Sequence, residues 1–176
     1  EGLSYPDAVR ALAKRAGMQV PEDEQYQSRY RQQERLWALH KEAARFFHSQ
    51  LYAPIGKAAL DYAFGRGMSK GILTTFGVGY APDSWDSLVK AMLAKGYTEE
   101  ELKESGLVTV SQKNGRIFDR FRDRLMFPII DVRGNVIGFG GRIMKNDPNA
   151  AKYLNSPETL IFNKRKNLFG LNVAKK

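Results

Sequence analysis

The tightest constraint on what this chain can fold into lies between residues 125 and 144. Leu125 to Ile130 is an apolar run of strand length, and Arg133-Gly134-Asn135 is turn material. Val136 to Met144 is a second strand-forming run. A connection this short admits only an antiparallel return, so these residues predict a buried hairpin. Lys145 to Ala151 reads as a polar loop, and Lys152 to Asn155 as a further short strand or extended segment. Ser156 to Thr159 is turn material, and Val108–Val110 with Arg116–Phe118 flank a Lys-Asn-Gly turn as a smaller hairpin.

Upstream the apolar period is helical. Residues 4–16 form a predicted helix with Ser4 as N-cap, Asp7 three residues later, and Val9, Leu12, Ala13 and Ala16 on one face. Gly17 stops it, and Pro21 to Glu24 is a linker. Residues 25–51 form a long amphipathic helix whose stripe is Tyr26, Tyr30, Gln33, Trp37, His40, Ala44, Phe47 and Leu51. Pro54 and Gly56 break the chain before a short helix, Lys57 to Phe64, that ends at Gly65-Arg66-Gly67. Phe76 to Tyr80 reads as a strand, Ser84 as the cap of a helix ending near Gly96, and Thr98 with Glu101 as a capping box for a helix stopped by Gly106. Helices in the amino-terminal half and antiparallel strands in the carboxy-terminal half predict an α+β fold. A chain of 176 residues suffices for one domain with a core, or a small domain plus an appendage.

Composition narrows the function. There is no run of roughly 20 apolar residues to cross a bilayer, and no secretory signal is visible. Without cysteine there are no disulfides or thiolate zinc sites, and His40 and His48 stand alone as nitrogen ligands, so no metal is expected within this stretch. His40, on a mostly apolar stripe, reads as a packed histidine. The chain opens on Glu1 and is expected to be a piece of a longer protein. Charge is uneven: residues 1–113 hold 15 Lys+Arg against 14 Asp+Glu, residues 114–176 hold 13 against 5. Such a concentration of cations attracts a polyanion, and the interleaved glycines and asparagines let a phosphate chain approach the backbone; the alternative is a solvated basic surface.

Several motifs carry this reading, each with a plainer counterpart. Phe139-Gly140-Gly141-Arg142 sets a cation just past two glycines, where a ligand could come close or a bulge could sit in an ordinary sheet. Arg120, Arg122 and Arg124 alternate, so on an extended segment they share a face, with Asp119 and Asp123 on the other. They would meet an anion there, or carboxylates of the helical half. Lys152-Tyr153-Leu154-Asn155 offers a cation, a ring and an amide, the set that holds single strands. Lys164-Arg165-Lys166 is a further cluster or a solvated end, and Trp85 is a base-stacking ring or part of the core. Acids in the basic third do not form a cluster fit for metal-assisted phosphoryl transfer, so no catalytic residue is assigned.

The run Arg122 to Ile129, the stretch Gly138 to Arg142, and the string Lys152-Tyr153-Leu154-Asn155-Ser156-Pro157-Glu158-Thr159 together resemble the amino-terminal subdomain of the polymerase core of bacterial replicative, DnaG-type DNA primases. Gly65 to Ser69, Phe76 to Pro82 and Ile161 to Leu171 are similar to further segments of that family. Residues 1–20 resemble the last helix of its zinc-binding domain and the following linker, which leaves 21–176 as the subdomain itself. The resemblance implies a parent enzyme that joins ribonucleoside triphosphates on single-stranded DNA to make RNA primers. It implies zinc in a preceding domain, magnesium on the acids of a following TOPRIM subdomain, and a carboxy-terminal domain that docks on the replicative helicase. By motif match it assigns Arg66, Arg120, Arg122, Arg142, Lys152 and Asn155 to nucleic-acid contacts, with Trp85 a further candidate, and Lys164 and Lys152 to nucleotides. It implies a monomeric piece, inactive alone, that works away from membranes in the cytoplasm at the nucleoid and replication fork. A phage primase–helicase fragment and a free-standing single-strand-binding module are the alternatives.

Overall fold

The computed structural model describes residues 5–17 and 24–164. The chain divides into two compact units, Glu1–Glu34 and Arg35–Lys176, and each is described by itself. The first contains α1, Tyr5–Arg15, which ends at Gly17 with φ 67°. The expected cap Ser4 lies outside the described residues. Leu12, placed on the inner face of α1 by its spacing, is 65% exposed within this chain. The unit also holds the first turns of α2, Glu24–Tyr52, where the Tyr26 and Tyr30 rings stack at 6.5 Å.

In the second unit, the rest of α2 buries Leu36, Leu39, His40, Ala43, Phe47 and Leu51. The predicted stripe shared only His40, Phe47 and Leu51 with this band, and Trp37 and Ala44 are half-buried at its margin. A strict alternation of fours and threes drifts by about 20° per heptad around a straight helix, so it leaves the band that meets the core. A 3-10 turn, Pro54–Gly56, follows; a Cβ on Gly56 would fall 2.1 Å from the Gln50 carbonyl oxygen, so only glycine fits. The short helix α3 is Lys57–Gly65. An additional helix, α4, Lys70–Thr75, is capped by Ser69, whose hydroxyl accepts the Ile72 N–H. It displaces the predicted strand, which begins only at Gly79.

Four antiparallel strands form the main sheet in the order β1-β4-β5-β6: Gly79–Ala81, Arg124–Ile130, Val136–Ile143 and Tyr153–Asn155. The predicted smaller hairpin is present as β2, Val108–Val110, and β3, Ile117–Asp119. Helix α6, Glu99–Ser105, has the predicted capping box, and Gly106 ends it at φ 72°. Helix α5, Ser87–Ala94, departs from expectation: Ser84 does not cap it. Asp119 reaches over from β3 instead and accepts the Leu88 and Val89 N–H groups at 2.8 and 3.0 Å. The fold is α+β, helical first and antiparallel after, as its period change predicts.

One face of the sheet is packed along its strands, and the other is packed beside β1 and open along β5 and β6. Met126 and Phe139 meet Leu39, Ala43 and Phe47 of α2 together with residues of α5 and α6. Leu125 meets Leu51, Ala59, Ala63 and Leu73 on the other side. Phe139 touches Phe47 and His40 edge-on, at 5.4 and 5.7 Å between ring centres.

His40 is fully buried, as the packed reading expects, with Nδ1 3.2 Å from the Val136 carbonyl and Nε2 3.0 Å from that of Ser105. Burial pushes its pKa down to about 4, against the pull of these carbonyls. The unfolded chain therefore takes up a proton that the native ring refuses. Stability is complete above the ordinary histidine value near 6.5 and is lost as pH falls from there toward 4. Urea unfolding should show a loss of about 2 kcal/mol between pH 7.5 and 5. A His40→Asn variant, weaker at pH 7.5, should lack that slope; an equal slope in both proteins would refute the assignment.

Candidate nucleic-acid interface

Register decides which side chains share the open face of the sheet. Arg142 pairs with Leu125 and Tyr153, and Gly140 pairs with Phe127 and Asn155. Partners across a ladder point the same way, so Arg142, Tyr153 and Asn155 flank the bare backbone of Gly140. The result is a recess of about 280 Å³ lined by Phe127, Ile129, Gly140, Gly141, Tyr153 and Asn155. Asn155 lies across it, its amide oxygen 3.1 Å from where a Gly140 Cβ would stand. Gly141 faces the core instead, where a Cβ would meet Met126, Arg124 and Phe121 at 3.0–3.2 Å. No bulge occurs at this pair of glycines; the register shift lies between Ile129 and Ile130.

Arg142 and Arg66 meet at one ring. The Arg142 guanidinium carbon lies 4.5 Å from the centre of Tyr62, and that of Arg66 lies 5.4 Å away. Arg66 Nε also donates to the Tyr62 hydroxyl oxygen at 3.0 Å. Beyond Arg142, the β5–β6 loop encloses a cavity of about 380 Å³ whose lining includes Arg142, Lys145 and Lys152. Lys145 is paired with Asp83, which raises its pKa. Lys152 lies 5.9 Å from the ring of Tyr153, which is 65% exposed.

The three alternating arginines do not share one strand. β3 ends at Asp119 and β4 begins at Arg124, and Asp123 between them has φ 49°. Each guanidinium is held by a main-chain carbonyl: Arg120 by Asn155 at 2.9 Å, Arg122 by Asp119 at 2.6 Å, Arg124 by Gly141 at 3.1 Å. Arg120 Nε is buried without a partner. Burial, then the charges of Arg122 and Arg120, depress the Arg124 pKa, so the three are close enough to repel. Among the described residues none forms an ion pair with a carboxylate. The plainer alternative, pairing with acids of the helical half, is therefore not what holds them. Trp85 is not part of the core: it is 64% exposed, with Arg122 4.0 Å above its ring and Phe118 edge-on at 5.2 Å.

The acids of this region are engaged elsewhere. Residues 114–176 contain five: Asp119, Asp123, Asp131, Asp147 and Glu158. Asp119 caps α5, Asp123 accepts the Tyr80 hydroxyl, and Asp131 accepts the Arg133 and Asn135 N–H groups. Asp147 accepts from Asn149 N–H and Glu158 from Lys164 N–H. Among the described residues, no cation forms an ion pair with any of the five. Nor do any three of His, Asp and Glu among them converge as metal ligands, so this donor set does not fit magnesium or zinc.

The structure thus brings Arg142, Lys152 and Asn155 around the Gly140 recess and its neighbouring cavity, with Arg66 beside Arg142 at the Tyr62 ring and Arg120 tied to the Asn155 main chain. Arg122 and Trp85 form a separate stack. Lys164 is exposed and touches the others nowhere among the described contacts, and Arg165 and Lys166 lie outside the described residues. Sequence reasoning missed Tyr62, although its spacing four residues before Arg66 on a helix was a usable signal. Phe118, the second ring beside Arg122, was also missed.

The family model for the DNA primase catalytic core, N-terminal domain, matches residues 46–175. The DNA primase of Deinococcus radiodurans is 45% identical over 175 residues, which is 99% of this chain and 29% of that protein. The chain therefore spans under a third of the curated relative's length. A DnaG primase catalytic domain bound to single-stranded DNA matches with a TM-score of 0.75 and 40% identity over 83% of this chain and 46% of that one. The zinc-binding and RNA polymerase domains of the Aquifex aeolicus primase match at 0.70 and 32% identity, over 97% of this chain and 40% of that one.

Asp119 links the core to this surface, since its side chain caps α5 while its backbone N–H bonds Trp85 and its carbonyl holds Arg122. Asp119→Ala strands two buried N–H groups and should cost about 2–3 kcal/mol in urea unfolding. Asp119→Asn, which keeps one acceptor, should cost less. Equal stability of Asp119→Ala and the parent would refute the cap.

Proposed function

The chain belongs to the family of the DNA primase catalytic core's N-terminal domain, and on that premise we propose that its cationic face binds the single-stranded template of an enzyme that makes short RNA primers. The observation that carries this is the engagement of all five local acids by hydrogen bonds other than ion pairs, which leaves the guanidiniums beside the recess without counter-ions among the described residues. A phosphate chain supplies those counter-ions, Trp85 and Tyr153 offer rings for bases, and the Asn155 amide offers a partner for a base edge or sugar. Lys152 and Lys164 contact the triphosphates of incoming nucleotides in this reading.

Residues 1–20 are the end of the zinc-domain helix with its linker, and 21–176 the subdomain. Magnesium and zinc belong to the TOPRIM and zinc-binding parts of the parent enzyme, and the donor set here supplies neither. The helicase contact belongs to another domain of the parent, and the setting is the replication fork in the cytoplasm.

The isolated chain should bind single-stranded DNA weakly and without metal. With about four phosphates neutralised, log K should fall with log salt at a slope near −3. Arg142→Ala or Lys152→Ala should each weaken binding by about 1 kcal/mol and flatten the slope by about 0.7. Salt-insensitive binding, or none at low salt, would count against the interface. Given magnesium and nucleoside triphosphates, the isolated chain should synthesise no primer, whereas in the full-length enzyme the same two substitutions should reduce synthesis far more than stability. Normal priming by both full-length variants would defeat the assignment of these residues.

A further inference from the structure

We infer that Tyr62 is a positioning residue that holds Arg66 and Arg142 together as one clamp for a phosphate of the DNA strand; this rests on the template-binding reading. The two arginines come from unrelated places, the end of α3 and the end of β5, and among the described contacts they meet at this ring. They use different parts of it. Arg66 Nε donates to the hydroxyl oxygen at 3.0 Å, and Arg142 lies over the ring at 4.5 Å from its centre. A phenol alone among side chains offers an aromatic face and a hydroxyl acceptor at once.

Two guanidiniums on one neutral ring repel each other. Among the described residues neither is in an ion pair, and Arg142 has only the Ile143 carbonyl as a further hydrogen-bond partner. An anion placed between them converts that repulsion into two attractions. Tyr62 itself is half-buried and packs against the cluster of Leu51, Ala59, Ala63 and Leu73, so the ring is fixed, while Arg66 is exposed and Arg142 half-buried. Arginines already held in place lose less rotamer entropy on gripping a phosphate than free ones do. The contribution of Tyr62 is therefore preorganisation, with no contact to the strand required of it.

The test is a double-mutant cycle on this 176-residue chain, read by anisotropy of a short labelled oligodeoxythymidylate, with thermal unfolding run on every variant. Tyr62→Phe keeps the platform for Arg142 and removes the acceptor for Arg66. It should melt like the parent and bind about 3-fold more weakly; Arg66→Ala should then add under about 2-fold, while Arg142→Ala keeps its full effect. Tyr62→Leu removes both supports and should bind about 10-fold more weakly, with Arg142→Ala adding under about 2-fold.

If Tyr62→Phe binds like the parent, or Arg142→Ala costs as much in Tyr62→Leu as in the parent, the ring is packing only and the inference falls. Should Tyr62→Leu fail to fold, the Tyr62→Phe arm decides alone. A parallel titration with a fluorescent nucleoside triphosphate separates strand from nucleotide: loss of nucleotide binding with intact oligonucleotide binding overturns the strand assignment. Weakening by Arg142→Ala with normal binding by both Tyr62 variants removes the clamp and leaves the template reading standing. Absence of any DNA binding by the parent removes both.

Discussion

The cationic face depends on the register of β4 against β5. Along β5 the alternation is strict: Phe139 and Gly141 turn to the core that contains Met126, while Gly140 and Arg142 turn to the opposite face. A slip of one residue would drive Arg142 into the core and expose Phe139. What opposes it is Phe139, whose buried ring sits among Phe47, His40 and Phe121 and would lose those contacts. Gly141 adds a second constraint, because Met126, Arg124 and Phe121 close over it at 3.0–3.2 Å from where a Cβ would stand. The core thus sets the position of a surface cation through the pleat.

Charges without counter-ions must be supported in some other way. Here the supports are main-chain carbonyls and aromatic faces: Asn155, Asp119 and Gly141 carbonyls for Arg120, Arg122 and Arg124, and Trp85 and Tyr62 rings for Arg122 and Arg142. Such partners orient a guanidinium without cancelling its charge, so the field toward solvent survives. The cost appears as self-repulsion. It adds to burial at Arg124, whose pKa is lowered first by desolvation and then by the charges of Arg122 and Arg120.

Local rules made much of this legible. The Thr98–Glu101 capping box, the Gly106 stop, the hairpin turn at Arg133–Asn135 and the antiparallel pair around it follow from residues adjacent in sequence, and each is where those rules put it. What was illegible depends on contacts distant in sequence. Ser84 has the chemistry of a cap, but Asp119, some thirty positions away, wins the N–H groups of α5. Trp85 next to Leu88 and Val89 looks like core, and only the hairpin beside it shows that the ring is left outside with Phe118. Arg120, Arg122 and Arg124 alternate as a strand would, yet the left-handed backbone at Asp123 breaks the strand between them. Arg66 and Arg142 both stand in motifs, but Tyr62, whose ring lies against both, belongs to neither, and only its spacing of four from Arg66 points to it.

The same division of labour explains why the basic third stays basic once folded. In the helical half, acids and cations satisfy one another: Arg35 grips Glu101, Lys95 and Arg45 share Glu42, and Lys57 meets Asp61. In residues 114–176 the five acids are engaged by turns, a helix start and a tyrosine hydroxyl, with a carboxylate oxygen accepting from main-chain N–H groups and, at Asp123, from Tyr80. Each such bond fixes local geometry, and among the described residues none of these carboxylates is in an ion pair with the arginines. Folding therefore sorts the charges by use, acids to backbone and cations to the open face. A replacement that freed one of these acids would act twice, loosening the turn that it holds and quenching the field beside it.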